Sequence, residues 1–281
     1  MVAIQVLSDL HLENPKAYDI FDIPANAPYL ALLGDIGYAS KHQAEYLEFL
    51  RLQLAQFQVV FLVLGNHEPW HSDWDSARKL MREFEQMIRL ERESRPGAKN
   101  GVEQQGLGEF VLLDRTRYDL PERGAGGEAI TILGCTLFSH VPAASSEAVS
   151  FGVNDFYHID GWTVEQHSAR FATELAWLNE QVAALRGEGR KAVVLTHYSP
   201  TMDDRAVDPR HRSSPIQTGF ATDLKDQLCW TSEVVKVWAF GHTHFNCDFV
   251  DEKSRKRVMA NQRGYYFGQS DAVEIGKVIE L

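Results

Sequence analysis

Cysteine is scarce in this chain of 281 residues. The three present, Cys135, Cys229 and Cys247, are odd in number, scattered and free of any Cys-x-x-Cys pair. That argues against a disulfide framework and against a closed structural zinc site. Positive charge is also short: 28 Lys and Arg stand against 39 Asp and Glu, for a net charge of −11. A chain so acidic lacks the electrostatic footprint of a nucleic-acid binder, which argues against long nucleic acid as a partner. A small anion could still be held by a local positive site. Long apolar runs are missing too, since stretches such as 59–64 fall far short of a bilayer, and no membrane partner is expected. The opening MVAIQVLSD lacks the basic start and apolar run of a secretion signal. With the free thiols, this sets the expectation of a cytoplasmic protein. Internal repeats, low-complexity tracts and convincing linkers are absent, so one domain spanning residues 1–281 is expected.

What remains is ordinary globular material, 44% hydrophobic and 24% charged, long enough to bury a full core. Short aliphatic and β-branched runs at 3–7, 29–33, 59–64, 192–195 and 234–240 predict buried strands. Helical spacing separates them. Leu47, Leu50, Leu54 and Phe57 form one stripe, with Ser40 as the expected N-cap. Ala77, Met81, Phe84 and Ile88 form a second, with Ser72 as its cap. Thr163 and Gln166 have the spacing of a capping box ahead of Val164, Phe171, Leu175, Leu178, Val182 and Leu185. These stripes are core faces without chemistry. The alternation predicts an α/β layered domain. Segments 94–108, 121–128 and 199–219, rich in Gly, Pro, Ser or charge, predict loops, and long loops are candidates for substrate selection. The basic run 253–257 follows Asp251 and Glu252 and predicts a solvated hairpin turn.

Chemistry concentrates just beyond the ends of the five predicted strands. They finish in Ser8-Asp9-Leu10-His11, Gly34-Asp35, Gly65-Asn66-His67-Glu68, Thr196-His197 and Gly241-His242-Thr243-His244. Open α/β sheets place ligands at strand carboxyl ends. Each fragment alone is ordinary turn chemistry, but five in this order are hard to produce by accident. Imidazole mixed with carboxylate suits Mn, Fe, Zn or Ni, whereas an all-oxygen shell would suit Mg or Ca.

The order Asp-x-His, Gly-Asp, Gly-Asn-His-Glu, His, Gly-His-x-His resembles the signature of the calcineurin-like metallophosphoesterases, from Asp9 to His244. Asn154-Asp155-Phe156 and Asn261-Gln262-Arg263-Gly264-Tyr265 add further similarity. The resemblance implies an α/β fold of two stacked mixed β-sheets flanked by helices. It also implies two divalent transition-metal ions, one held by Asp9, His11, Asp35 and His244, the other by Asp35, Asn66, His197 and His242. Asp35 would bridge, and His67 would stand beside the ions as a proton donor to the leaving oxygen. Two such ions, about 3.5–4 Å apart, activate a shared hydroxide for in-line attack on a phosphoryl group. The expected substrate is therefore a small anionic phosphomonoester or phosphodiester.

Asn154, Asp155, Tyr198 and Arg263 are candidate substrate contacts, while His71, His140 and His211 are spare histidines not expected to ligate. Protein phosphatases of this superfamily continue Gly-Asp with an arginine-bearing run, and here the chain reads Gly34-Asp35-Ile36-Gly37-Tyr38 instead. That departure puts protein phosphatase activity in doubt. Two other readings stay open: the same metals turned to ester or amide hydrolysis, and a binding scaffold without catalysis. The presence of every proposed ligand weighs against the second.

Overall fold

The computed structural model describes residues 2–94, 106–123 and 126–281, without the side chains of residues 122 and 123. In chain order the elements are β1 (Ala3–Leu7), β2 (Tyr29–Leu32), α1 (Gln43–Leu54), β3 (Val59–Leu62), α2 (Trp74–Ser94), β4 (Glu109–Leu112), β5 (Thr116–Arg123) and β6 (Ala129–Cys135). Then come α3 (Ala143–Gly152), α4 (Asp155–His158), α5 (Val164–Glu188), β7 (Lys191–Thr196), a 3-10 turn (Gln217–Gly219), α6 (Leu228–Thr231) and β8 (Val235–Phe240). Strands β9 (Cys247–Val250), β10 (Arg257–Ala260), β11 (Gly264–Tyr265), β12 (Gly268–Gln269) and β13 (Val278–Glu280) complete the order.

Two large mixed sheets result, ordered β13-β1-β2-β3-β4 and β5-β6-β7-β8-β10-β9, with β11 and β12 pairing apart. In the first, β1 to β4 run parallel and β13 closes the edge antiparallel to β1. In the second, β6, β7, β8 and β10 are parallel, while β5 and β9 are antiparallel edges. Alternation within each strand explains the layers. Ile4, Val6, Phe61, Ile132, Val193 and Val237 share one cluster between the sheets. Leu7, Val60, Leu62, Val194, Trp238 and Phe240 point the other way, into a second cluster that includes apolar residues of the helices. A strand buried on both faces has to be continuously apolar, which is why these runs are legible.

The second helical stripe holds: Ala77, Met81, Phe84 and Ile88 are the buried face of α2. Phe84 meets Phe110 of β4 edge to face at 4.9 Å, and truncating such a phenylalanine costs about 3–5 kcal/mol. The cap, however, is Asp73, not Ser72. Its carboxylate accepts from the Asp75 and Ser76 amides at 2.9 Å, because the chain enters the helix one residue later than Ser72. Ser40 likewise does not cap α1, whose N-cap position is His42 without a side-chain bond. Phe57 lies beyond the end of that helix, still buried. The capping box of α5 forms as its spacing implies, and Gly189 ends the helix at φ 68°.

Part of the expected loop 121–128 is strand, since β5 runs to Arg123 with a register shift after Asp119. Most of the loop expected at 94–108 lies outside the described residues. Segment 199–219 has no regular structure before the 3-10 turn. The turn after β9 is less solvated than its charges imply. Lys256 is buried, donates to the Trp230 carbonyl and lies 5.0 Å from the Trp230 ring centre. Among the described residues, no helix is long and apolar enough to cross a membrane.

Candidate metal centre

The loops leaving β1, β2, β3, β7 and β8 meet where the two sheets adjoin, and their backbones are forced into unusual shape. Asp9, His11, Asp35, His242 and His244 all have φ between 47° and 71°. Side-chain-bearing residues avoid this region, and strain of this kind gathers at functional sites. Pairing between loops holds it: the Asp9 amide bonds Gly34 O and the His11 amide bonds Asp35 O, each at 2.9 Å, and the Gly241 amide bonds His197 O at 2.9 Å. Gly65 permits a close approach. A methyl there would collide with the Asp35 carboxylate and stand 2.5 Å from the Asp35 amide.

Three groups of donors converge: Asp9, His11 and His244; Asp35, His197 and His242; and His11, Glu13 and His67. His11 Nε2 lies 2.9 Å from His244 Nε2, and His244 Nε2 lies 3.3 Å from Asp9 Oδ1. His197 Nε2 lies 2.9 Å from Asn66 Oδ1 and 3.5 Å from Asp35 Oδ1. Asp35 turns its other oxygen to His11 Nε2, at 3.8 Å. The same oxygen lies 4.0 Å from His67 Nε2.

Surrounding groups set which nitrogen faces inward. His197 donates Nδ1–H to the Leu33 carbonyl at 2.7 Å, and His11 donates Nδ1–H to Glu13 at 3.0 Å. Each ring thus presents its Nε2 lone pair to the centre, an arrangement typical of metal-ligating histidines. Burial first, then neighbouring His67, lowers His11 to about 4, and burial lowers His197 to about 4. Burial, then His197, pushes His242 well down. These imidazoles are neutral at pH 7, as ligation requires.

Asp35 shows the opposite pressure: burial, then Glu68 and Asp9, pushes its carboxyl far above the usual range. A buried carboxylate among carboxylates, facing neutral nitrogens, is a site for a cation. His242 Nε2 is buried without a hydrogen-bond partner among the described residues. The donor set fits divalent transition ions.

Glu68 ties the centre together. Its carboxylate accepts from the Gly65, Asp35 and Ile36 amides at 2.7, 3.1 and 2.8 Å and from the Tyr46 hydroxyl at 3.0 Å. Glu13, lowered to about 2 because bonds from His11 and His67 outweigh its burial, takes Nδ1–H of both rings on one oxygen. His67 is stacked on Trp70 at 3.9 Å, with the Tyr265 hydroxyl 3.3 Å from its Nε2. The sequence reading gave Glu13, Glu68, Trp70 and Tyr265 no role. Glu13 continues the every-second-residue spacing of Asp9 and His11, which was the available signal.

The remaining candidates separate. Asn154 and Asp155 line a cavity of about 360 Å³ that opens on Asp35, Asn66, His67 and His242. Asp155 is itself buried and accepts from Asn66 at 2.8 Å and Trp70 at 3.0 Å. Tyr198 is fully buried behind His242, ring centres 4.1 Å apart, and is not in the cavity wall. Arg263 is also outside that wall. It is buried on Phe21 and donates to the Leu10 carbonyl at 2.6 Å, which braces the Asp9–His11 turn. Of the spare histidines only His211 reaches the cavity, and none of the three is in a donor group.

The family model for calcineurin-like phosphoesterase matches residues 3–246. The chain belongs to that family. This calcineurin-like phosphoesterase is 23% identical to an uncharacterized protein of Acanthamoeba polyphaga mimivirus over 290 residues, covering 94% of this chain and 92% of that protein. Among solved structures it is similar to phosphopantetheinyl hydrolase from Mycobacterium tuberculosis. The TM-score is 0.59 at 18% identity, with 94% of this chain and 89% of that one covered, a likeness of fold. A dimetal phosphatase from Danio rerio is more distant, with a TM-score of 0.45 at 12% identity, covering 92% and 86%.

Proposed function

We propose that this phosphoesterase uses two divalent transition-metal ions, of the Mn, Fe, Zn or Ni type, to hydrolyse a small phosphomonoester or phosphodiester. In this reading Asp9, His11, Asp35 and His244 hold one ion and Asp35, Asn66, His197 and His242 the other, with residues 1–281 acting as one domain. The observation that carries it is Asp35, whose two oxygens face different donor groups, Oδ1 toward His197 and Oδ2 toward His11. Bound ions of this kind supply Lewis acidity toward a phosphoryl oxygen and make a water nucleophilic near neutral pH.

The chain's own residues do the rest. The His67 amide donates to Asp35 Oδ1 at 2.8 Å and fixes the carboxylate's direction. Only Asp9 and Asp35 would bring negative charge as ligands, so two divalent ions would leave the ligand set itself positive and able to hold an anionic ester. His67, held through Nδ1 by Glu13 and by the face of Trp70, turns Nε2 to the cavity. In its doubly protonated form it donates that proton to the departing oxygen.

Reconstitution with Mn, elemental analysis, and a panel of phosphate and carboxylic esters test this together. Two ions per chain and turnover of phosphate esters are expected. One ion per chain, or faster turnover of carboxylic esters, would reject the reading.

A further inference from the structure

The cavity beside the donor groups is two-sided, and only one side resembles a phosphate site. Beyond Trp70 and Phe220, which stack on His67 and His242, the apolar lining is Val153, Val207, Ile216 and Ala221, contributed by the end of α3 and the segment between β7 and α6. Among the described residues lining the cavity there is no lysine and no arginine. The acidic side chain on that side, Asp208, is already engaged by Arg210 at 2.6 to 3.1 Å, and the guanidinium is not part of the wall. Away from the centre, the other polar side chains of the lining include Asn154, Ser214, Gln217 and His211.

A second phosphate on the substrate would lie against apolar carbon and Asp208 with no lysine or arginine in the wall to meet it, a desolvation cost that only His211 of the lining is placed to reduce. An uncharged arm gains by leaving water. The volume, about 360 Å³, is that of a small-molecule pocket, larger than a lone phosphate needs.

Resting on the phosphate-ester reading above, we infer that the substrate is the ester of a single phosphate carrying an uncharged, largely apolar arm, which lies along the surface that Val153 and Ile216 form together. Nucleoside polyphosphates and pyrophosphates are disfavoured by the same wall. Ile216 and Val153 are the specificity-determining positions. Ile216 already packs where Gly152 leaves room, its Cγ2 2.7 Å from where a methyl on Gly152 would stand. Ile216 and Val153 therefore belong to one packed apolar surface, on which the arm is read by its polarity.

The test uses the metal-loaded full chain and three ligands: methyl phosphate, hexyl phosphate and 2-phosphonoethyl phosphate. Calorimetric titration under conditions too brief for turnover gives affinity, and phosphate release gives hydrolysis. Hexyl phosphate is expected to bind about tenfold or more tightly than methyl phosphate, the scale of one or two methylenes in an apolar pocket. The phosphonoethyl ester is expected to bind more weakly than the methyl ester. Ile216→Asp should collapse the hexyl-to-methyl ratio toward one, and Ile216→Lys should invert the order of the hexyl and phosphonoethyl esters. Equal affinity for the hexyl and methyl esters, or tightest binding of the phosphonoethyl ester by the parent, overturns the inference while leaving phosphate-ester hydrolysis standing. The expected ranking with no hydrolysis of any ester supports the arm site and rejects the catalytic reading instead.

Discussion

Asn66 donates its side-chain amide to Asp155 Oδ1 across 2.8 Å, which turns its own Oδ1 to His197 Nε2, 2.9 Å away. Eighty-nine residues separate the two in sequence. An asparagine has two ends, and a neighbour that accepts from the nitrogen decides which one reaches a cation. Asp155 is held in turn by Trp70 Nε1 at 3.0 Å.

Removing Asp155 frees that amide to rotate. Asp155→Ala should weaken the ion proposed at Asn66, His197 and His242 by about 10–100-fold, the usual effect of losing a group that orients a ligand. The ion at Asp9, His11 and His244 should be spared. Asp155→Asn keeps an acceptor oxygen and should lose less. Stepwise Mn titration reads both events, and two unchanged affinities in the alanine variant would rule this role out.

Asp35 offers the contrasting case. Because its oxygens face both donor groups, Asp35→Asn should lower occupancy of both ions, whereas Asp9→Asn should lower mainly the one shared with His11 and His244. Elemental analysis after dialysis checks it. An Asp35 variant that keeps two ions per chain would remove the bridging assignment.

The difference between these residues also shows what a sequence exposes. Asp9, His11, Asp35, His197 and His242 stood out because each follows a run that must be apolar to be buried on both faces. Glu13 and Tyr265 did not stand out, because they meet His67 across 54 and 198 residues of chain. Tyr198 was a candidate because it follows His197, and Arg263 because it lies in the family-like segment Asn261 to Tyr265, yet neither reaches the cavity wall. Tyr198 packs behind His242, and Arg263 braces the backbone at Leu10. Caps failed for a related reason: Asp73 rather than Ser72 caps α2, since the point of entry is set by tertiary pairing of Ser72 with Ile159. The edge strand β9 alternates half-buried and exposed residues over four positions, too short a pattern to separate from a loop.

Stability carries its own pH signature, through a group outside the metal centre. Glu174 on α5 is buried and accepts the Leu137 amide at 2.5 Å. Burial pushes its carboxyl up to about 7, from an ordinary value of 4.5, despite that bond. Between those values the folded protein holds the proton and the unfolded chain does not, so this contribution is full below pH 4.5 and is lost as pH rises through 7. The loss is on the order of 3 kcal/mol. Glu174→Gln keeps the shape and an acceptor but cannot ionise. Denaturant unfolding should show the variant gaining on the parent by that amount between pH 4.5 and 8. A stability difference independent of pH would mean Glu174 does not titrate there.

His67 provides the sharpest test of the chemistry, because an acid helps unequal leaving groups unequally. Nitrophenolate departs with little protonation, whereas an alkoxide is far more basic and depends on a positioned proton. His67→Ala should therefore slow an alkyl phosphate ester by about 10²–10⁴-fold and a nitrophenyl ester distinctly less. Both ions should remain bound, since His67 is not among the proposed ligands and is held through Nδ1 by Glu13. Glu13→Gln extends the argument. It removes the carboxylate that takes Nδ1–H of His67 but also the one that orients His11, so it should combine the alkyl-selective loss with weaker binding of the ion at His11. Both variants are compared with the parent at equal metal occupancy. Equal slowing of the two esters by His67→Ala would make the ring a stabiliser of charge rather than an acid. Loss of a metal ion would make it a ligand.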